Sequence, residues 1–108
     1  MDIRRLTEAQ RFSDEKMQKI GIFETDRMFT DIYCLEEGQA QRAHAHDDAD
    51  KVYFVVEGTA RVLVGSDEED VTAGSAVLAP AGIHHGVRNT SGRRTVILVF
   101  MAPNPNRN

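Results

Sequence analysis

Gly38-Gln39-Ala40-Gln41-Arg42-Ala43-His44-Ala45-His46 and Gly74-Ser75-Ala76-Val77-Leu78-Ala79-Pro80-Ala81-Gly82-Ile83-His84-His85-Gly86-Val87-Arg88-Asn89 are the two stretches on which the reading of this chain turns. Between them they supply three histidines, His44, His46 and His85, with the spacing of a metal site. Both lie in alternating, β-branched sequence of the kind that builds antiparallel sheets. A sheet closed into a barrel can aim all three imidazoles at one interior point.

The period of two extends to either side of these stretches, from about Ile22 almost to the end. Residues 28–35 read as a strand closed by Glu36-Glu37-Gly38, and residues 41–46 as the next. After the polar loop around Asp47, Asp48 and Asp50, the run Lys51-Val52-Tyr53-Phe54-Val55-Val56 is strongly β-forming. It turns at Glu57-Gly58 into residues 59–64, which makes a hairpin. Asp67-Glu68-Glu69-Asp70 reads as a charged hairpin tip, and residues 77–79, 83–88 and 95–101 as further strands. Eight or so short strands with regular turn signals predict an all-β sandwich or barrel. The last strand is apolar on both faces. The barrel interior would take one face, and a second subunit is the expected cover for the other, which predicts a homodimer.

Ahead of the barrel the pattern is less sheet-like. Thr7-Glu8-Ala9-Gln10 has the form of a capping box, and Ser13-Asp14-Glu15 is a second candidate helix start. The expected organisation is therefore an N-terminal extension over residues 1–21 with short helices, a barrel over 22–102 and a loose tail over 103–108. At 108 residues the chain is one domain with a modest core. A net charge of −4 without a basic run argues against nucleic acid as a partner. No apolar run approaches the roughly 20 residues of a membrane span. The first residues lack the apolar centre of a signal peptide. With a lone Cys34, which fits a reducing compartment, these features make the cytoplasm the expected location.

His44 and His46 are two apart, so on a strand their side chains share a face. Three neutral imidazoles suit a divalent transition ion (Fe, Zn, Ni, Mn or Cu) and leave positions open for water or substrate. Structural zinc sites are usually closed by four ligands and rich in cysteine. An open site favours a reactive or ligand-binding role.

These residues resemble the two motifs of the cupin superfamily, G-x5-H-x-H-x3,4-E-x6-G and G-x5-P-x-G-x2-H-x3-N. The second is met in full by Gly74, Pro80, Gly82, His85 and Asn89. The first is met by Gly38, His44, His46 and Gly58, but not at the glutamate. The resemblance implies a double-stranded β-helix, or jelly-roll, barrel that binds one divalent metal through His44, His46 and His85. Cupins include dioxygenases, isomerases, decarboxylases and binding modules, so the resemblance implies the fold more firmly than the reaction.

Counting back from Gly58 puts Lys51 where the family carries its carboxylate ligand, while Asp50 fits only the shorter spacing from His46. Alternation puts Lys51 on one face with Tyr53 and Val55. Three outcomes are open for Lys51: it orients an anionic substrate, it acts as a neutral base, or its head swings out to pair with a carboxylate such as Asp50. Tyr53 is a candidate pocket-lining hydrogen-bond donor. Lys51 and Tyr53 are thus the candidate catalytic residues. Tyr33 and Cys34 straddle two faces of one strand, and alternation does not say which points in. His84 points away from His85, Asn89 holds a turn, and Phe29, Phe54 and Phe100 read as core. The expected function is a metal-dependent enzyme, of oxygenase, isomerase or decarboxylase type, on a small anionic organic molecule. The alternative is a non-catalytic barrel that binds or senses a small ligand.

Overall fold

The computed structural model describes residues 1–106. One short helix, α1 (Leu6–Ala9), precedes nine strands: β1 (Gln18–Glu24), β2 (Phe29–Leu35), β3 (Ala40–His44), β4 (Asp50–Glu57), β5 (Thr59–Val64), β6 (Asp67–Thr72), β7 (Ala76–Ala79), β8 (His85–Arg88) and β9 (Thr95–Ala102). They form two antiparallel sheets, β1-β2-β9-β4-β7 and β3-β8-β5-β6, packed face to face. This is the all-β barrel that the alternation predicts, in the jelly-roll form that the resemblance implies.

Side-chain alternation sorts the larger sheet into two chemically different faces. Inward, Tyr33, Tyr53, Val55, Ile97, Val99 and Met101 pack against Ala60, Val62 and Val87 of the smaller sheet. Outward, Ile32, Cys34 and Val96 cluster with Ile22 of β1, and Leu6, Ala9 and Phe12 of the N-terminal segment pack against them. The chain's own N-terminal segment therefore covers the outer face of β9 at Val96 and part of Leu98, and leaves the rest of that face open. Phe100, at the uncovered end of that face, is 38% exposed rather than core.

Three further expectations are corrected. Thr7 does not cap α1: the N-cap is Arg5, which makes no side-chain capping bond, and Thr7 lies inside the helix. Ser13 starts no helix; its hydroxyl accepts the Glu15 amide in a local turn. Asp67-Glu68-Glu69-Asp70 is not a hairpin tip but most of β6, where Glu68 and Asp70 pair with Arg61 across the ladder. Cross-strand opposite charges of this kind support an edge strand while discouraging pairing with other chains.

Glycine is required at the β4–β5 hairpin. Gly58 has φ +78°, and a Cβ there would stand 2.5 Å from the Arg94 carbonyl oxygen. Only a residue without a side chain allows that approach.

Candidate metal centre

The three histidines are brought together by an irregularity in the smaller sheet. His44 ends β3 and faces His85, which opens β8. Between this pair and the next, Gln41 with Val87, β3 carries one residue more than β8. That is a β-bulge, and it lets Gln41 and His44 both turn inward although they are three apart. Gly86 sits opposite the bulge. A Cβ on it would meet the Gln41 carbonyl oxygen at 3.0 Å and Ala43 Cα at 3.1 Å, so glycine makes room for the extra residue.

His46 lies beyond the end of β3, not on the strand as expected. Two hydrogen bonds place its loop. The Gly82 amide donates to the His46 carbonyl at 2.7 Å, and the Ala81 amide donates to the Asp50 carboxylate at 2.9 Å. The Pro80-Ala81-Gly82 turn is thereby fastened to the segment that carries His46, and Asp50 is engaged away from Lys51.

One potential ligand nitrogen from each of His44, His46 and His85 lies within 4.8 Å of the others. The ring centres are 4.6 Å apart for His44 and His85, 4.9 Å for His44 and His46, and 5.9 Å for His46 and His85. His44 Nδ1 is 2.9 Å from the Arg42 carbonyl oxygen, and His85 Nδ1 is 3.0 Å from that of Ile83. A carbonyl only accepts, so each Nδ1 carries the hydrogen and each Nε2 keeps its lone pair. His85 Nε2 is buried and has no hydrogen-bond partner among the described residues. Buried polar atoms are normally satisfied, and an imidazole lone pair left without a hydrogen bond beside two other imidazoles is free to hold a metal ion. The three residues fit the donor set of a divalent ion and would be the ones to hold it. Burial also keeps the rings neutral. Desolvation pushes His85 down to about 4, against the Ile83 hydrogen bond and with help from Lys51. Desolvation likewise lowers His44 and His46.

Lys51 points into the barrel and is 1% exposed. Its ammonium donates to Tyr33 Oη at 3.0 Å and to Gln41 Oε1 at 3.1 Å. Gln41 Nε2 donates to Tyr33 Oη at 2.9 Å, and Tyr53 Oη donates to Gln41 Oε1 at 3.3 Å. Lys51 Nζ also stands 5.1 Å from the Tyr33 ring centre and 4.9 Å from that of Tyr53, within cation–π range. The Tyr53 ring is in turn 6.1 Å from the His85 ring. Burial drives the Lys51 amine down to about 7, Lys19 lowers it further, and Asp31 opposes the fall. Burial raises both tyrosine hydroxyls, so they stay protonated.

Of the two residues that straddle β2, Tyr33 points in and Cys34 is buried on the outer face. His84 is exposed, and Asn89 is buried with its amide on the Leu35 and Arg93 carbonyls, holding a turn. The sequence reading did not single out Gln41, Asp31 or Gly86. Asp31 had a usable signal, because it shares the alternation of Tyr33; Gln41 did not, because the bulge breaks the parity between it and His44.

A two-sheet β-barrel with three histidines converging beside one wall defines the class. The cupin domain family matches residues 31–101, and the chain belongs to that family. A protein of Thermus thermophilus, TT1209, is 46% identical in its crystal structure, covering 95% of this chain and 98% of its own, with a TM-score of 0.93. An RmlC-like cupin protein from Desulfovibrio desulfuricans is 26% identical over 95% of this chain and 97% of its own, with a TM-score of 0.84. A curated relative, an uncharacterized protein of Streptomyces coelicolor, is 38% identical over 78 residues, which are 70% of this chain and 71% of that one.

Proposed function

We propose that this cupin is a metal-dependent enzyme acting on a small anionic organic molecule, with His44, His46 and His85 as the metal ligands. The observation that carries this reading is the buried, unpartnered Nε2 of His85 beside two other imidazoles. When bound, the ion would supply Lewis acidity toward substrate oxygens, and a redox metal such as Fe(II) would add oxygenase chemistry where Zn, Mn or Ni would serve isomerisation or decarboxylation. Lys51 would hold the anion by charge and hydrogen bonding. Tyr53 would form a wall of the site and hold Gln41, which in turn positions Lys51. Polar groups from three strands (Gln41 of β3, Lys51 and Tyr53 of β4, Tyr33 of β2) converge on one point beside the three histidines, which supports catalysis.

One observation favours a second reading, a non-catalytic barrel that binds or senses a small ligand: the carboxylate ligand of the family pattern is replaced by Lys51. The cytoplasm and a homodimer belong to both readings. The dimer is supported by Leu78, 57% exposed, and Phe100, both on the outer face of the larger sheet that the N-terminal segment leaves open. Light scattering on the eluting protein should give twice the chain's 12.1 kDa.

Elemental analysis of the purified protein beside a His44→Ala/His46→Ala variant tests the metal. About one equivalent in the parent and none in the variant is expected. No metal in the parent after incubation with Fe(II), Zn, Mn and Ni would remove the enzyme reading and leave the binding barrel.

A further inference from the structure

The three imidazoles contribute no negative charge, and the position that would contribute one carries a buried cation instead. An ammonium has three N–H donors. Tyr33 and Gln41 accept two of those of Lys51, and no residue among those described accepts the third. Asp31 is the carboxylate whose charge bears on Lys51, and it is drawn toward Lys19 as well. Tyr53 links the amine to the histidines: its ring centre is 4.9 Å from Lys51 Nζ and 6.1 Å from the His85 ring. A dication on the histidines would therefore bring three positive charges together, counting the Lys51 ammonium, with Asp31 the carboxylate that opposes them. Buried charges stay only when paired.

Resting on the reading of His44, His46 and His85 as metal ligands, we propose that metal and a small carboxylate bind this site as an obligatory pair, with the free N–H of Lys51 and the ion gripping the same anion. The lysine takes the place of the protein's own carboxylate ligand by recruiting one from solution. The anion is held at two points, by Coulomb attraction to the ion and by a charge-assisted hydrogen bond from Nζ. Gln41 and Tyr33 are positioning residues: they fix the ammonium so that its third donor is directed rather than mobile. Because coupling between two ligands is reciprocal, the anion tightens the metal by the same factor as the metal tightens the anion.

The test uses the full-length, metal-free protein and Co2+, whose visible absorption reports its coordination, in a sulfonate buffer with and without acetate. Acetate should lower the Co2+ dissociation constant at least about tenfold, within the usual range of coupling between two sites. Lys51→Met should bring the dependence within about twofold. Lys51→Glu should bind Co2+ without acetate and be indifferent to it, since the protein then supplies the carboxylate. A parent whose Co2+ affinity is the same with and without acetate would overturn the pairing while leaving the metal site standing. Retention of the dependence in Lys51→Met would overturn the role of Lys51. Failure of the parent to bind Co2+ under either condition would overturn both this inference and the metal reading beneath it. Should a variant not fold, acetate line broadening by 13C NMR in the parent, with and without Zn2+, decides the same point: broadening that requires Zn2+ supports the pairing, and equal broadening without it overturns it.

Discussion

The two faces of the larger sheet are built from neighbouring residues of the same strands, yet they bury opposite kinds of chemistry. The outer face encloses Ile32, Cys34 and Val96 beneath the N-terminal segment, with hydrocarbon and one thiol and no buried charge. The inner face sets a lysine and two tyrosines among Val55, Ile97, Val99 and Met101, and four hydrogen bonds tie them to Gln41 of the facing sheet. Apolar burial stabilises in proportion to area and asks little of geometry. A buried ammonium costs stability unless every partner is in place. The outer face therefore serves the fold, and the inner face gives up stability at one spot for a placed charge.

That contrast can be broken by mutation. The largest effect belongs to the outer face. Ile32→Ala, at a site with no exposure, should cost about 3 kcal/mol in chemical denaturation. The loss should be the same from pH 6 to pH 10, and a loss that varied with pH would mean that the two faces are coupled.

Lys51→Met on the inner face should act with the opposite sign and depend on pH. The unfolded amine holds its proton up to the ordinary 10.5, the folded one only to about 7. Between those values unfolding takes up a proton, so stability of the metal-free parent rises as pH climbs from 7 to 10 and is flat below 7. The variant, without a charge to desolvate, should be more stable than the parent by about 2 kcal/mol near pH 6–7, with the gap closing toward pH 10. Parallel pH profiles for parent and variant would show that Lys51 is not buried as a perturbed amine.

The smallest effect sharpens the comparison on the facing sheet. Gly86→Ala should cost about 1–2 kcal/mol, because the new methyl presses on the backbone of the β3 bulge rather than on a yielding side chain. It should also weaken metal binding, since moving the bulge moves His44. Unchanged metal affinity in a destabilised Gly86→Ala protein would separate the bulge from the site.

Much of this was legible in the sequence, because alternation reports directly on a two-faced strand. The double apolar character of β9 follows from its place in the middle of the larger sheet, and the convergence of His44 and His85 from the spacing of two motifs. What escaped had a common physical cause: a local departure from the period of two, or a contact between segments far apart in sequence. The extra residue after Gln41 hides a buried amide behind a parity that would place it outside. His46 reaches the cluster from a loop held by Gly82, not along a strand. The direction of Lys51 depends on whether Tyr33 and Gln41 are there to receive it, and nothing near Lys51 in the chain says so. Part of the cover on β9 is a segment from the N-terminal end, Leu6, Ala9 and Phe12, which no local pattern in β9 reports.

The position of β9 has a consequence for how the molecule comes to exist. Residues 95–102 form the strand latest in sequence, yet they lie between β2 and β4, bonded to both along their length. Until that segment is available, β2 and β4 each present an open edge toward the middle of the sheet, and the inner wall has no Ile97, Val99 or Met101. A growing chain thus cannot close the barrel piece by piece as it leaves the ribosome. Closure waits for residues 95–102, with long-range pairing setting its pace. The same insertion protects the finished protein, because withdrawing β9 would break two ladders together, and no single strand end can peel it away.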